Sequence, residues 1–319
     1  MKRFKPFLAL LILLGALAGL LTAALHAAAL DITTYVLSEP ADNSAPVAKN
    51  IAINTFRDIS IAGQLDAIDP DGDAFAFTVV SGPKKGSVTV DRDGSFTYSP
   101  DSGKKGTDSF TYIATDEAGN TSSPARVTVS IQKQKTDVMY SDMQDDPNHY
   151  AALVLAERGV FTGRQIAGCY FFCPDETVTR SEFLAMCMGI TGDPLLTGVT
   201  ATGFFDDDQI DPWAKPYVST ALMEGSLRGL RNEQGFLVFN ARDDITWSEA
   251  AVMLNDAFHV TDVVSAAAVD GQSSPALQAA ENLKACGIIG DTSVAGNTQP
   301  LTRAEAAVML TAAMENLER

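Results

Sequence analysis

The chain has 319 residues, with 40 acidic and 23 basic side chains and a formal charge of −17. That length points to about two domains, and 46% apolar residues are enough for real cores, which excludes a wholly disordered chain. So acidic a chain is a poor candidate for non-specific nucleic-acid binding, which depends on Lys and Arg neutralising phosphates, and three histidines (His26, His149, His259) leave little material for metal or triad chemistry.

Lys2, Arg3 and Lys5 precede an apolar run from Phe7 to Leu25, and the small residues Ala27, Ala28 and Ala29 follow. This is the pattern of a secretory signal peptide over residues 1–29, cleaved after Ala29. The alternative is an uncleaved anchor, since the run is long enough to span a bilayer. A membrane is a partner only in that case, and the chain is exported in both. Cleavage removes three positive charges and leaves the mature chain at −20. Residues 30–45, polar and bounded by Pro40 and Pro46, read as a linker.

From 46 to 133 the pattern is that of strands. Runs rich in Val, Ile, Thr, Phe and Tyr at Ala74–Val80, Ser87–Val90, Ser95–Tyr98, Asp108–Ala114 and Arg126–Ile131 alternate with turns at Gly82-Pro83, Asp93-Gly94 and Gly119-Asn120. About seven short strands without helical periodicity predict a β-sandwich. Gln132 to Thr136 reads as a second linker.

The order of motifs in this region is specific: Asp69-Pro-Asp-Gly-Asp73, Gly86-Ser-Val, Asp93-Gly-Ser-Phe-Thr-Tyr98-Ser-Pro100, Gly106-Thr-Asp-Ser-Phe-Thr-Tyr112 and Asp116-Glu-Ala-Gly-Asn120. It resembles the bacterial cadherin-like and immunoglobulin-like modules of surface proteins. The resemblance implies a sandwich used as a spacer or adhesive unit and no catalysis. Asp69, Asp71, Asp73 and Asp116 offer clustered oxygen ligands of the kind calcium takes. The spacing is not that of an EF-hand, and a polar turn before a strand accounts for the same residues. Weak extracellular calcium binding is what the resemblance adds; no other cofactor is implied.

From 137 the periodicity becomes helical and recurs. Thr179-Arg-Ser-Glu182, Thr246-Trp-Ser-Glu249 and Thr302-Arg-Ala-Glu305 each precede an apolar helical run. Upstream of each lies a helix ending in paired glycines, Gly159 and Gly163, Gly225 and Gly229, Gly287 and Gly290. Thr with Glu three residues later is a capping box, and glycine stops the preceding helix. Each unit therefore reads as helix, stop, loop, capped helix. Neither helix can bury its apolar stripe alone, so the three units, about 137–195, 203–260 and 270–317, are expected to pack together.

Capping does not call for Arg180 or Arg303. A cation beside free helix-start N–H groups makes a compact anion site; a surface arginine paired with a nearby carboxylate is the alternative. The region 137–319 holds 26 acidic and 10 basic side chains, a net of −16, so an anionic polymer would have to be held by local contacts.

The arrangement resembles three S-layer homology (SLH) repeats over about 140–317. The first opens with Tyr140-Ser-Asp142 and His149-Tyr-Ala151 and closes on Phe172-Cys-Pro174 and Thr179–Glu182. The second has Phe205-Asp-Asp207, Trp213-Ala214 and Thr246–Glu249, and the third keeps Gly287-Ile-Ile-Gly290 and Leu301–Glu305 without the opening motif or the Trp. The resemblance implies a pseudo-threefold helical bundle whose grooves hold anionic secondary cell-wall polysaccharide on a bacterium of Gram-positive type. It makes Arg180 and Arg303 the polysaccharide-binding residues, with Trp213, a residue that usually packs in the core, as a weaker third. Trp247 departs from the pattern, standing where the other two units have Arg.

Four cysteines lie in this region: Cys169, Cys173, Cys187 and Cys286. Export permits disulfides, and a local Cys169–Cys173 bridge is the simplest. Free buried thiols are the alternative, and a zinc site lacks a second close pair or a nearby His.

The sequence thus predicts a multidomain chain, an all-β immunoglobulin/cadherin-like sandwich followed by an all-α bundle of three SLH-like repeats. It reads as a non-catalytic, exported surface protein anchored non-covalently to the wall, with other surface proteins or host glycans as further partners. The alternative is a calcium-dependent adhesin whose repeats are a passive scaffold. An enzyme such as a wall-active hydrolase finds no support in the spacing of carboxylates, because acid–base work needs two groups placed across a cleft.

Overall fold

A computed structural model describes residues 43–263, 274–290 and 292–317. The expected signal segment, residues 30–42 of the linker and the stretch 264–273 lie outside the described residues.

The sandwich contains nine strands: β1 Val47–Ala48, β2 Ile51–Phe56, β3 Ile61–Gln64, β4 Ala67–Ile68, β5 Phe75–Ser81, β6 Gly86–Val90, β7 Ser95–Pro100, β8 Gly106–Asp116 and β9 Ala125–Gln132. Seven of them form the two main sheets, β2-β9-β8-β5 and β3-β7-β6, and β1 pairs with β4 alone. The first long strand and the last run parallel, Ile51 opposite Val127, while the other pairs are antiparallel.

Alternation sets the core. Along β8, Asp108, Phe110, Tyr112, Ala114 and Asp116 are buried, and the residues between them are less so. Phe110 and Tyr112 share one core with Phe96 and Tyr98 of the other sheet and with Val127 and Val129 of the neighbouring strand, each such burial stabilising by about 1.5–3 kcal/mol. Gly86 is required by a close approach: a Cβ there would lie 2.4 Å from the Ser99 carbonyl oxygen and 2.8 Å from the Tyr98 hydroxyl.

The helical region has six α-helices among the described residues. They are α1 His149–Glu157, α2 Arg180–Thr191, α3 Lys215–Glu224, α4 Trp247–Ala257, α5 Pro275–Ala285 and α6 Arg303–Leu317. In chain order each expected unit holds two, α1 and α2, α3 and α4, α5 and α6, but they pack across the unit boundaries, α2 on α3, α4 on α5 and α6 on α1. The hairpin β10 Arg164–Ile166 with β11 Cys169–Phe171 separates the first pair, and β12 Leu230–Arg231 with β13 Leu237–Val238 the second. A 3-10 turn, Thr292–Gly296, stands there in the third. The first stop glycines, Gly159, Gly225 and Gly287, hold φ of +70°, +75° and +72°, the left-handed conformation that ends a helix.

The three units close on one another cyclically. Val178 N donates to the Leu301 carbonyl (3.0 Å), Leu301 N to that of Ile245 (2.8 Å), and Ile245 N to that of Val178 (2.9 Å). These three apolar residues are fully buried, so each unit completes the backbone bonding of the next at the centre of a shared core.

The sandwich docks on this ring instead of hanging from a free linker. Phe56 at the end of β2 is buried in the core of the helical region, its ring 5.3 Å from that of Tyr150. Asn54 Nδ2 and the Tyr150 hydroxyl both donate to Glu315 Oε1, at 3.2 and 3.0 Å. The expected second linker is tied down by one carboxylate: Lys135 N, Thr136 N and Thr136 Oγ1 all donate to Glu157 Oε1, at 2.7, 2.6 and 2.8 Å. Among the described residues no helix is long and apolar enough to cross a membrane.

Candidate functional site

The starts of α2, α4 and α6 carry the repeated signature. Thr179 and Glu182 form a complete capping box, as do Thr246 and Glu249. At α6 the Glu305 carboxylate accepts from Thr302 N (2.8 Å) while Glu305 N donates to Thr302 Oγ1 (3.3 Å).

The next two N–H groups of each helix are taken by the neighbouring unit. Arg180 N and Ser181 N donate to the carbonyls of Asp243 and Ala241; Trp247 N and Ser248 N to those of Gln299 and Asn297; Arg303 N and Ala304 N to those of Glu176 and Pro174. The free helix-start donors expected for an anion site are therefore absent here. All four orphan donors of the first turn are satisfied, two by the box and two across the unit boundary.

The arginines are clamps in the same exchange. Arg180 is 3% exposed. Its Nε donates to the Phe239 carbonyl (2.8 Å), its Nη1 lies 2.9 Å from Glu249, and its guanidinium stands 5.5 Å over the Phe239 ring. Burial lowers its pKa, and Glu249 opposes the shift. Arg303, 6% exposed, repeats this from the third unit to the first, with Nη1 on the Phe172 carbonyl (2.8 Å), Nη2 on Glu176 (2.9 Å) and the Phe161 ring at 5.0 Å.

The carbonyls that these arginines grip belong to equivalent turns. Asp142 accepts from Phe172 N and Cys173 N at 2.9 and 2.7 Å, and Asp206 accepts from Phe239 N and Asn240 N at the same distances. Cys173 and Asn240 share a positive φ, +57° and +55°. This shifts the expected opening motif of the second unit by one residue. Phe204, which is buried, and Asp206 do the work, whereas Phe205 is 60% exposed. Among the described residues the third unit shows no such turn, and Trp247, whose N–H donates to the Gln299 carbonyl of that unit, packs partly buried against the core. The missing Arg and the missing opening motif are one change, because each is the other's partner.

Trp213 does not pack in the core. It is 49% exposed and meets Tyr217 edge-on at 6.2 Å. Among the three residues expected to bind polysaccharide, Arg180 alone lines a cleft to which all three units contribute. That cleft, about 330 Å³, is formed by Arg180, Arg228, Glu249, Met253, Asp256 and Pro275 with their neighbours. Arg228, whose side chain is 59% exposed, pairs through Nε with the buried Asp256 at 2.7 Å. It is a more open cation than either expected arginine, and it lies outside the repeated motif, which is why motif reading passed it over.

The four cysteines are free thiols. The local bridge expected between Cys169 and Cys173 is not made. Cys169 is exposed at the start of strand β11, whereas Cys173 lies past the strand's end in a turn fixed by Asp142. Cys187 is fully buried, and burial pushes its thiol pKa far up.

The aspartates of the sandwich have mostly local partners, although Asp69 Oδ2 is buried without one among the described residues. Asp69 Oδ1 accepts from Asp71 N and Asp73 N, Asp71 Oδ2 from Ser44 N, and Asp116 from Asn120 N, Asn120 Nδ2 and Asn43 Nδ2. Desolvation first, then the charges of Asp69, Asp71 and Asp116, raise the Asp73 carboxyl. Among the described residues no group of three or more His, Cys, Asp or Glu is placed to hold a metal ion.

Residues 43–133 match the family model of the bacterial cadherin-like domain. No curated protein matches the chain. Among solved structures, an endo-fucoidan hydrolase from glycoside hydrolase family 107 is 22% identical, with a TM-score of 0.25, over 30% of this chain and 14% of that one. The SrpA adhesin R347E mutant from Streptococcus sanguinis is 15% identical, with a TM-score of 0.24, over 32% and 62%. A SusE-like surface-located polysaccharide-binding protein from the Bacteroides thetaiotaomicron heparin utilisation locus is 16% identical, with a TM-score of 0.21, over 29% and 15%. The chain thus spans about a seventh of the first of these and less than two thirds of the others.

Proposed function

We propose that the chain is a non-catalytic, exported surface protein. Its three SLH-like helical units attach it non-covalently to an anionic cell-wall polysaccharide, and the cadherin-like sandwich serves as spacer or adhesive module. The observation that carries this reading is the cyclic exchange at Val178, Ile245 and Leu301, which builds one ring from three units, with a cleft lined by residues of all three. In the cleft shared by the three units the Arg228 guanidinium is the polar group a glycan carboxylate would meet, with Met253 and Pro275 as apolar floor for a sugar face. Arg180 and Arg303 serve this function by holding the cleft walls together. No turnover is part of the proposal.

The test is co-sedimentation of the exported chain with purified sacculi, intact or stripped of secondary polysaccharide, beside Arg228→Gln. Binding that needs the polysaccharide and weakens at least several-fold in the variant supports the reading. A folded chain that stays in the supernatant with intact sacculi refutes it.

A further inference from the structure

In this acidic chain, unpaired positive charge gathers on one side of the sandwich. Lys84 and Lys85 sit in the loop between β5 and β6, Lys104 and Lys105 in the loop between β7 and β8. The loops are fastened together. Asp101 N donates to the Lys85 carbonyl (2.8 Å), and Lys85 Nζ donates to that of Lys105 (3.1 Å). Gly106 adopts φ +81° beside that ammonium, and a Cβ there would lie 3.4 Å from it. Beneath them Asp108, 6% exposed, accepts from Lys84 N (2.9 Å), Lys85 N (2.8 Å), Ser109 N (2.9 Å) and the Tyr98 hydroxyl (2.9 Å). Its carboxylate fixes the lysine backbone and has little capacity left to pair their side chains.

Arg126 on β9 completes the arrangement. It is exposed, stands opposite Thr111 in the sheet, and reaches Ser109 Oγ with Nη1 at 3.5 Å. Arg126, Lys84 and Lys85 line a cleft of about 350 Å³ with Thr107, Ser109 and Thr111 on its wall, and Lys104 and Lys105 lie on the loop beside it. Among the described residues none of these five cations is in an ion pair. The helical region is the reverse: Arg164, Arg180, Lys215, Arg228, Arg242 and Arg303 are all paired with carboxylates.

We propose that this cleft of the sandwich binds an anionic saccharide, a short segment bearing sulfate or uronate groups. Arg126 and the lysines would take its charged oxygens and the threonine and serine hydroxyls its ring hydroxyls. A nucleic acid is disfavoured, because the aromatic residue of the cleft, Phe110, is 1% exposed and offers no face for a base. The chain's charge of −17 also opposes a long polyanion. The inference does not depend on the wall-binding reading of the helical ring, since it uses other residues on another domain.

The test is calorimetric titration of the whole exported chain with a heparin-type sulfated tetrasaccharide, an uncharged glucose tetrasaccharide and a DNA oligonucleotide. The variant Lys84→Glu/Lys105→Glu/Arg126→Glu is run beside the charge-matched control Arg92→Glu/Arg231→Glu/Lys284→Glu, with melting curves for both. The sulfated sugar should bind wild type and control alike, at least tenfold more weakly to the cleft variant, with an affinity that falls as salt rises, while the uncharged sugar does not bind. Should the cleft variant misfold, Lys84→Ser/Arg126→Gln makes the same comparison. The proposal is overturned if the sulfated sugar fails to bind wild type at millimolar concentration, if the control loses as much as the cleft variant, or if DNA binds as tightly as the sugar.

Discussion

The sandwich and the helical ring solve the same problem, satisfying every buried backbone group, in opposite ways. In the sandwich each strand finds its partner inside the domain, and the first and last strands close the larger sheet side by side. In the ring the start of each unit's second helix finds its partners in the next unit, so no unit is complete alone. The difference extends to charge. The ring uses six of its cations as ion-paired braces within an acidic shell, whereas the sandwich leaves five together and unpaired. A domain closed by its own ladder can vary its loops for binding; one closed by exchange commits its conserved-looking positions to assembly.

The largest expected effect follows from that exchange. Arg303→Ala should destabilise the ring by about 2–4 kcal/mol, because the buried Phe172 carbonyl loses its donor while Glu176 keeps Arg164. The check is urea unfolding followed by helical circular dichroism. If Arg303 were mainly a ligand residue, stability would barely change and wall binding alone would fall. Trp247→Ala, at the boundary without a gripped turn, should cost less than Arg303→Ala.

On the sandwich side, Gly86→Ala drives a Cβ against the Ser99 carbonyl and the Tyr98 ring. It should cost about 1–3 kcal/mol by overpacking, read by the same titration with a probe of sheet structure. If the helical signal shifts with it, the contact of Phe56 with Tyr150 couples the two regions into one cooperative unit.

How much of this was legible in the sequence depends on whether the signal was local. The capping boxes, the stop glycines and the strands of the sandwich were legible, since a Thr-x-x-Glu box and a period of two are made by neighbours in the chain. Gly86-Ser-Val stood out as a motif, but its reason, the Ser99 carbonyl across the sheet, did not. The clamping contacts of Arg180 and Arg303 are not legible in the sequence, because helix-start N–H groups look free until the next unit supplies Asp243, Ala241, Glu176 and Pro174. The one-residue shift from Phe205-Asp-Asp207 to Phe204 and Asp206 was hidden for the same reason: adjacent aromatics and adjacent acids are interchangeable until burial chooses between them. The lysine cluster lies in two separated loops, and only the sheet brings them side by side.

A smaller effect distinguishes the regions by pH. Lys215 and Thr202 hold the Asp207 carboxyl down to about 2, from an ordinary 3.8. A depressed pKa in the folded state stabilises above the unfolded value and is lost as pH falls through the folded one. Asp207→Asn should therefore lower the ring's stability by about 1 kcal/mol at neutral pH, allowing for solvent screening, and the gap to wild type should close between pH 4 and 2. Melting curves across that range check it, and a gap independent of pH would mean that the Lys215 contact contributes nothing.

The smallest effect on stability is expected from reductant, since all four cysteines are free thiols: the melting temperature should not move. The thiols nonetheless give the sharpest test of the comparison, because every one of them lies in the helical region. Exposed Cys169 should react with a thiol reagent in the native protein, while Cys187, fully buried and with its thiol held protonated, should react only when the ring opens. Labelling of Cys187 across a urea gradient therefore reports the ring alone. If it precedes the loss of sheet signal, exchange between units is the weaker way to close a domain. If both transitions coincide, and Gly86→Ala moves Cys187 labelling as well, the docking of Phe56 has made one folding unit of two architectures.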